Sequence, residues 1–428
     1  MGDEMTNESK RSSNLRSEDW VAVWTGGALI LIVLVGIRPS VPTFSWGPDL
    51  AGRFAWLDTL GLTAVLGVLL LVLCGAAMRF MGRPAGPLLV AFPVIFVLAW
   101  VARVIAGHGV VKGWGITYVI VALCLGMLIS NSLSLPAWLS EGIRTEFYIK
   151  TGLVILGTNV LFGEILRAGL LGLGQALLVI LAVWYLCFWI SRRLRLDDEF
   201  SAMLASAVSI CGVSAAIATC GAVSGDRKRL SHVTSLVLIV AVPMTIVMPW
   251  VVERFRMPSV VGGAWLGGTI DTSGAVVAAG EILGESALNA AVIVKFSQNA
   301  LLGLAAFAIS LWWALRGDRA GDRPAVSVIW HRFPKFVLGF MGTSMLFSFI
   351  VSTGTVAQTA GLMKELRTWW FALAFVCIGL ETRFRDLVSM ERGRPAMAFL
   401  LAQGANIVWT LVVAYLLFGG VLFDIPAL

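Results

Sequence analysis

The sequence predicts an all-α polytopic membrane protein. Of its 428 residues 58% are hydrophobic and only 13% are charged, whereas soluble domains carry roughly 25% charged residues. About eleven stretches are apolar and long enough to cross the hydrocarbon core as helices. Two further apolar stretches are interrupted by polar residues near their centres. A soluble fold of this length could not bury so much apolar surface in one core.

The predicted spans are apolar runs separated by short loops. They cover approximately 20–37, 60–79, 86–106, 114–132, 150–167, 170–190, 231–252, 288–314, 336–352, 368–382 and 396–418. Lysine and arginine concentrate in alternate loops. The positive-inside rule therefore predicts a multi-pass protein of the cell inner (plasma) membrane with a cytoplasmic N-terminus.

The domain organisation is simple. Residues 1–19 form a predicted cytoplasmic tail without the apolar core of a cleavable signal peptide. Residues 20–428 are predicted to form a single transmembrane domain, with a cytoplasmic loop at 316–335 joining its two halves. The net charge of +7 lies mainly in such loops, so it indicates orientation in the lipid bilayer and not a nucleic-acid partner.

The two interrupted stretches, 201–223 and 260–283, are rich in glycine, serine, threonine and alanine. Each is predicted to contain two half-helices that meet at a break. They could be re-entrant hairpins or full spans that unwind at the centre, and the loop charges fit both. In either case the freed backbone groups must face protein or a water-filled cavity.

A weak internal repeat relates residues 143–166 to residues 366–388 when Gly157 is aligned with Gly379. The predicted topology sends the two helices across the membrane in opposite directions. Such an inverted repeat is typical of secondary transporters. The alternative is chance similarity between two apolar helices.

The first candidate motif is Ser209-Ile-Cys-Gly-Val-Ser214. A half-helix that begins near Gly212 would point its free N–H groups and its positive dipole end at the membrane centre, which suits an anion. We take Ser209, Cys211, Gly212 and Ser214 as candidate substrate-binding residues. Small residues also favour close helix packing, which is the structural alternative.

The second motif, Gly267-Gly-Thr-Ile-Asp-Thr-Ser-Gly274, places Asp271 in the middle of an apolar stretch. Ionisable residues inside a membrane are costly and commonly functional, so Asp271 is the candidate ion-coupling residue. Thr272, Ser273 and Gly274 are candidate substrate contacts. Alternatively, Asp271 could cap the helix that follows it.

The third motif is Lys295 with Gln298 and Asn299, which share one face of a helix. Lys295 could pair with Asp271, attract an anionic substrate, or do both. The alternative is a lysine that extends its amine to the membrane surface.

These motifs resemble a family of bacterial membrane proteins described as sulfate exporters, the YeiH-like proteins. The similarity rests on Ser-Ile-Cys-Gly-Val-Ser-Ala at 209–215, on Val-Val-Ala-Ala-Gly at 276–280, and on Val294-Lys295. The family carries His-Asp before the second element, whereas this chain has Asp271-Thr272, so the histidine is absent and the carboxylate is displaced. The resemblance covers about residue 140 to the C-terminus and implies an anion exporter.

The combined expectation is a secondary transporter of a small anion such as sulfate or an organosulfonate, working by alternating access at the two interrupted segments. A Na⁺- or H⁺-coupled carrier of another organic anion and a passive anion channel are the alternatives. The sequence shows no nucleotide-binding or hydrolase motif, so no enzyme is expected. No metal and no cofactor are expected beyond a coupling H⁺ or Na⁺, and a homodimer is suggested by analogy alone.

Overall fold

The computed structural model describes residues 15–38, 40–47, 57–223, 225–315, 326–382 and 393–428. Within these residues the regular secondary structure is entirely helical. Most of the predicted tail at 1–19 and the first half of the loop at 316–335 therefore lie outside the described residues.

Eighteen α-helices are present in this part of the chain. The first nine are α1 (Glu18–Leu34), α2 (Leu60–Phe80), α3 (Gly86–Gly107), α4 (Gly109–Gly113), α5 (Tyr118–Ser132), α6 (Ala137–Gly142), α7 (Thr145–Leu156), α8 (Phe162–Arg193) and α9 (Asp198–Ser206). The others are α10 (Gly212–Val223), α11 (Arg227–Arg254), α12 (Ser259–Thr269), α13 (Ser273–Leu283), α14 (Glu285–Leu315), α15 (Ser327–Arg332), α16 (Lys335–Phe349), α17 (Thr353–Glu381) and α18 (Arg394–Phe418). Short 3₁₀ turns cover Leu57–Thr59 and Gly157–Asn159, and a π turn covers Ala207–Cys211.

Seven helical stretches in the described residues are long and apolar enough to cross a membrane by length and composition. They are Leu60–Phe80, Gly86–Gly107, Phe162–Arg193, Asp198–Val223, Arg227–Arg254, Glu285–Leu315 and Arg394–Phe418. Their outer faces carry exposed aliphatic side chains, such as Val65, Leu170 and Leu400, which suit contact with lipid. The chain is therefore a polytopic membrane protein, although the predicted number of about eleven spans is not confirmed.

The chain forms two compact units. The first contains the residues up to Phe162 together with Lys335–Thr382, and the second contains Gly163–Pro334 together with the residues from Arg383 onward. In the first unit, α5 and α17 cross so closely that a Cβ at Gly126 would lie 2.8 Å from the Cα of Gly379. The second unit contains both interrupted segments.

The prediction of one span over 150–167 is wrong. Helix α7 ends at Leu156, and a new helix begins at Phe162. Hydroxyl groups of α16 bond the freed backbone: Ser344 donates to the carbonyl of Val160 at 2.5 Å, and Ser348 accepts from the amide of Phe162 at 2.9 Å. These bonds replace the missing helical ones, as a break at membrane depth requires.

The first interrupted segment is a helical hairpin. A straight helix would place residues 203 and 225 about 33 Å apart. Instead, a Cβ at Gly225 would lie 3.3 Å from Sδ of Met203, and Arg229 forms a 2.7 Å ion pair with Asp197. Helices α9 and α10 therefore run antiparallel. We call residues 198–223 hairpin 1, in which each half alone is too short to cross the hydrocarbon core.

The second interrupted segment is also a hairpin. Helix α12 runs parallel to α14, since Gly263 packs on the carbonyl of Ala287 and the carbonyl of Gly268 accepts from Nε2 of Gln298 at 3.0 Å. Helix α13 runs antiparallel to α14. Its first residue, Ser273, bonds Asn299 at 3.1 Å, and near its other end a Cβ at Gly280 would lie 2.9 Å from the Cα of Leu288. We call residues 259–283 hairpin 2.

The two hairpins enter the second unit from opposite ends. The open end of hairpin 1 packs with Ile309 and Trp313, whereas that of hairpin 2 packs beside Ala287. Residues 287 and 309 of one helix are about 33 Å apart. The tips therefore point toward each other from opposite ends of α14, which is an inverted arrangement.

The same turn leads into each hairpin. Arg195 (φ 62°) and Arg256 (φ 51°) are the non-glycine residues with positive φ in the described chain, and each lies three residues before its hairpin. The next amide bonds back into the preceding helix in both cases, from Leu196 to Ser191 and from Met257 to Val252, each at 3.0 Å. This is a left-handed helix C-cap used twice.

The predicted repeat of 143–166 and 366–388 lies in the first unit. Helices α7 and α17 do run in opposite directions: α7 is parallel to α16, as the 2.8 Å bond from Thr343 to the carbonyl of Val154 and the bond at Phe162 show, and the chain reverses between α16 and α17. Residues 383–388 of the second copy lie outside the described residues, so the repeat itself stays a prediction.

Hairpin geometry predicts which engineered cysteines share a side of the membrane. In a cysteine-free background, Arg193→Cys and Lys228→Cys flank hairpin 1, and Glu253→Cys and Glu285→Cys flank hairpin 2. We expect the first two to react with an impermeant maleimide from one side and the last two from the other. Labelling of residues 193 and 228 from opposite sides would show that 198–223 crosses the membrane.

The packing of hairpin 2 on α14 predicts how much a methyl group added to a glycine of that interface destabilises the protein. A Cβ at Gly267 would overlap the carbonyl oxygen of Ala291, whereas one at Gly404 would meet nothing within 4 Å. We expect Gly267→Ala to destabilise the protein by roughly 1–3 kcal/mol and Gly404→Ala to be neutral, as measured by thermal unfolding in detergent. Equal melting temperatures for the two variants would contradict this packing.

Candidate functional site

The tips of the two hairpins meet beside α14. A Cβ at Gly212 in hairpin 1 would lie 3.4 Å from Cβ of Asp271 in hairpin 2. Gln298 contacts both tips, since its Nε2 donates to the carbonyl of Gly268 at 3.0 Å and lies 3.5 Å from that of Ser209. The predicted motifs at 209–214, 267–274 and 295–299 therefore form one site.

Lys295 lies at the centre of this site. Its side chain is only 2% exposed, and its ammonium donates to the carbonyl of Ile210 at 3.1 Å and to Oε1 of Gln298 at 3.0 Å. A lysine that reached the membrane surface would be exposed, so that alternative is wrong. An ammonium has three N–H donors, and these two partners leave one for a ligand.

Asp271 is 1% exposed. Neither of its carboxylate oxygens has a hydrogen-bond partner in the described part of the protein. The capping alternative is wrong, because Oγ1 of Thr272 accepts from the amide of Ala275 at 3.3 Å and Thr272 is the N-cap of α13. No ion pair within 4.0 Å joins Asp271 to Lys295, so the expected direct pairing is not observed among the described residues.

The other predicted residues divide into three groups. Ser209 is buried, but its hydroxyl donates to its own helix at the carbonyl of Ala205, at 2.7 Å. Ser273 accepts from Nδ2 of Asn299 at 3.1 Å, at the first turn of α13. Cys211, Gly212 and Gly274 are buried, whereas Ser214 is exposed.

Helix α18 contributes polar residues that the sequence analysis did not select. Asn406 donates to the carbonyls of Val208 in hairpin 1 and Thr269 in hairpin 2, at 3.2 and 3.3 Å. Gln403 donates to the same Thr269 carbonyl at 2.9 Å, and Thr410 donates to Oδ1 of Asn406 at 2.8 Å. The signal was the spacing of Gln403, Asn406 and Thr410 along one face of an apolar helix.

Gln175 on α8 has the same role. It is fully buried, and its Nε2 donates to the carbonyl of Ala264 in hairpin 2 at 2.7 Å. The side chains of three long helices thus supply the donors that the hairpin carbonyls lack.

The site combines opposite electrostatic features. Lys295 and the N-terminal end of α13, where the positive helix dipole lies, favour an anion. The unpaired carboxylate of Asp271 favours a proton or a cation. Since both charges are buried, each is costly until a ligand or a counter-charge joins it. The arrangement can therefore hold an anion and a positively charged species together.

Comparison with known proteins identifies relatives. A family model described as Conserved hypothetical protein 698 matches residues 90–398. A UPF0324 membrane protein of Rhodopirellula baltica is 44% identical over 378 residues, which are 85% of this chain and 70% of the relative. One from Nitratidesulfovibrio vulgaris is 39% identical over 363 residues, 82% of this chain but only 63% of the relative.

A more distant relative covers nearly the whole chain. A UPF0324 membrane protein of Nitrosomonas europaea is 27% identical over 464 aligned positions, with 92% of this chain and 94% of the relative covered. No solved structure matches the chain.

Because Asn406 bonds both hairpins, its replacement should lower the free energy of unfolding substantially. Asn406→Leu keeps the volume but removes the donor that two buried carbonyls, those of Val208 and Thr269, share. We expect a loss of about 1–3 kcal/mol, as measured by denaturant unfolding in detergent micelles. Val408→Leu on the exposed face of α18 is the control, and an equal effect of the two changes would contradict this role for Asn406.

Proposed function

This chain belongs to the UPF0324 family of membrane proteins, and we propose that it is a secondary transporter of a small anion. One observation carries the proposal: two re-entrant hairpins from opposite ends of the second unit meet at a buried lysine and a buried, unpartnered aspartate. Intramembrane charges of this kind mark ion and substrate pathways.

The hairpin geometry supports alternating access. Each hairpin enters the second unit from one end, so each separates the central site from a different side of the membrane. Movement of this core, or opening of one hairpin at a time, would expose Lys295 and Asp271 to one side only. Secondary transporters with inverted repeats commonly use interrupted helices in this way.

The charge of the site supports an anionic substrate. The remaining N–H of Lys295 and the first amides of α13 are donors that an oxyanion could accept. Sulfate or an organosulfonate is the first candidate, because of the resemblance of motifs 209–215 and 276–280 to the sulfate exporters. The absent histidine beside Asp271 leaves other organic anions as the second candidate, and export is the direction that the resemblance implies.

A passive anion channel is the competing proposal. A channel requires a continuous polar path, whereas the buried charged side chains in the described part of the second unit, Asp271 and Lys295, both lie at the hairpin tips. We propose no enzymatic activity, and we place the protein in the cell inner membrane with its N-terminus in the cytoplasm, on the loop charges alone. The proposal that the protein forms a homodimer rests on analogy with other transporters.

Transport by purified protein in proteoliposomes tests the proposal. We expect accumulation of radiolabelled sulfate or an organosulfonate against its gradient, driven by an imposed Na⁺ or pH gradient. Lys295→Met removes a charged hydrogen-bond donor and should reduce uptake roughly 10- to 100-fold. Asp271→Asn should abolish gradient-driven accumulation.

Lys228→Met, at an exposed lysine in the first turn of α11, is the matched control and should transport normally. Normal accumulation by both Lys295→Met and Asp271→Asn would refute the site. Flux that never exceeds equilibration, whatever the gradient, would favour the channel.

A further inference from the structure

We propose that the tip of hairpin 2 is a binding site for a monovalent hard cation, Na⁺, that binds at Asp271. The inference rests on the proposed function and deepens it by naming the coupling ion. The residues concerned are Thr269 and Asp271 in the hairpin tip, Asn299 on α14 and Gln403 on α18. All four are buried, with exposures of 1 to 4%.

These four residues present oxygen atoms without protein partners. The oxygens are Oγ1 of Thr269, Oδ1 and Oδ2 of Asp271, Oδ1 of Asn299 and Oε1 of Gln403, all buried and without a hydrogen-bond partner in the described residues. Buried polar atoms without a partner are rare in folded proteins and call for an explanation. Every one of these atoms can accept a hydrogen bond or coordinate a cation. The bonds from Asn299 to Ser273 and from Gln403 to the carbonyl of Thr269 hold α14 and α18 against the tip that carries Asp271, and we infer that a cation is shared there.

The orientation of the Gln403 amide is fixed by its nitrogen. Nε2 of Gln403 donates to the carbonyl of Thr269 at 2.9 Å, and Nδ2 of Asn299 donates to Oγ of Ser273 at 3.1 Å. Flipping Gln403 would put its oxygen against the Thr269 carbonyl, which also cannot donate. Its free oxygen is therefore a property of the site and not of an arbitrary assignment.

The carboxylate count favours a monovalent ion. Ca²⁺ takes about 6–8 oxygen ligands, usually with several carboxylates, and this tip provides one carboxylate. The described residues contain no group of three or more His, Cys, Asp or Glu side chains that could hold a metal ion. The nearby charge of Lys295 would further oppose a divalent cation.

A proton on Asp271 would account for fewer of the unpartnered oxygens than a bound cation would. It would give one donor and so satisfy one neighbouring oxygen, whereas a hard cation can accept lone pairs from several oxygens at once. Charge balance also fits Na⁺: Asp271 and Lys295 sum to zero when ionised, and adding one Na⁺ with one monovalent anion keeps that sum. A divalent anion such as sulfate would require a second cation, whereas an organosulfonate with one charge would not.

Na⁺ binding by the full-length protein in lipid nanodiscs tests the site without requiring transport. We would measure saturable binding of radioactive Na⁺ and its competition by Li⁺, K⁺ and choline at constant ionic strength. Wild type should bind Na⁺ in preference to K⁺ and choline. Asp271→Asn should lose binding, and Thr269→Val should weaken it about tenfold.

Thr151→Val is the matched control. Thr151 is a fully buried threonine in the first unit, and its hydroxyl is bonded within its own helix, to the carbonyl of Phe147 at 2.8 Å. This variant should bind Na⁺ as wild type does. If the Asp271 variant does not fold, wild type and Thr269→Val still decide the question.

Two results would overturn the inference: no saturable Na⁺ binding by wild type, or binding that is unchanged in Asp271→Asn. Anion accumulation driven by a pH gradient, without Na⁺ binding, would overturn the Na⁺ site and leave the transporter standing. Na⁺ binding without transport of any anion would support the site and refute the proposed function.

Discussion

The second unit depends on one constraint: a backbone that reverses inside a bilayer must find all its hydrogen-bond partners within the protein. Each hairpin tip ends one helix and frees carbonyl groups that no helical amide reaches. The protein satisfies them with long polar side chains from three neighbouring helices. These side chains are Gln175, Lys295, Gln298, Gln403 and Asn406.

The same bonds bring the functional groups together. Asn406 and Gln298 each contact both tips, so the register of one hairpin is tied to that of the other. Lys295 is held by a carbonyl of hairpin 1 and by Gln298, which in turn donates to the carbonyl of Gly268 in hairpin 2. The same hydrogen bonds therefore stabilise the fold and position the residues of the site. A change at a tip therefore affects both stability and ligand binding, and variants need controls that separate the two.

Much of this arrangement could be predicted from the sequence. Composition indicated a polytopic helical membrane protein, and the glycine-rich interruptions with Asp271 and Lys295 indicated the site. The sequence could not show whether each interrupted segment is a hairpin or a full span, because both structures fit the same hydropathy and the same loop charges. The break after Leu156 was missed because its freed backbone groups bond serines on α16, far away in sequence. Polar residues on α18 were missed because an apolar helix tolerates a few of them for packing alone.

Separation of the two buried charges is the feature that most distinguishes a transport site from a structural ion pair. Had Asp271 and Lys295 met directly, each would have offset the desolvation cost of the other, and the pair would have needed no ligand. Instead, Lys295 bonds a carbonyl and an amide oxygen, which are neutral, and Asp271 bonds no residue in the described chain. In the proposed transporter each charge would therefore gain stability from a partner that arrives from solution. Binding of an anion near Lys295 and a cation near Asp271 would lower the desolvation cost of both, so the two ligands would favour each other's binding.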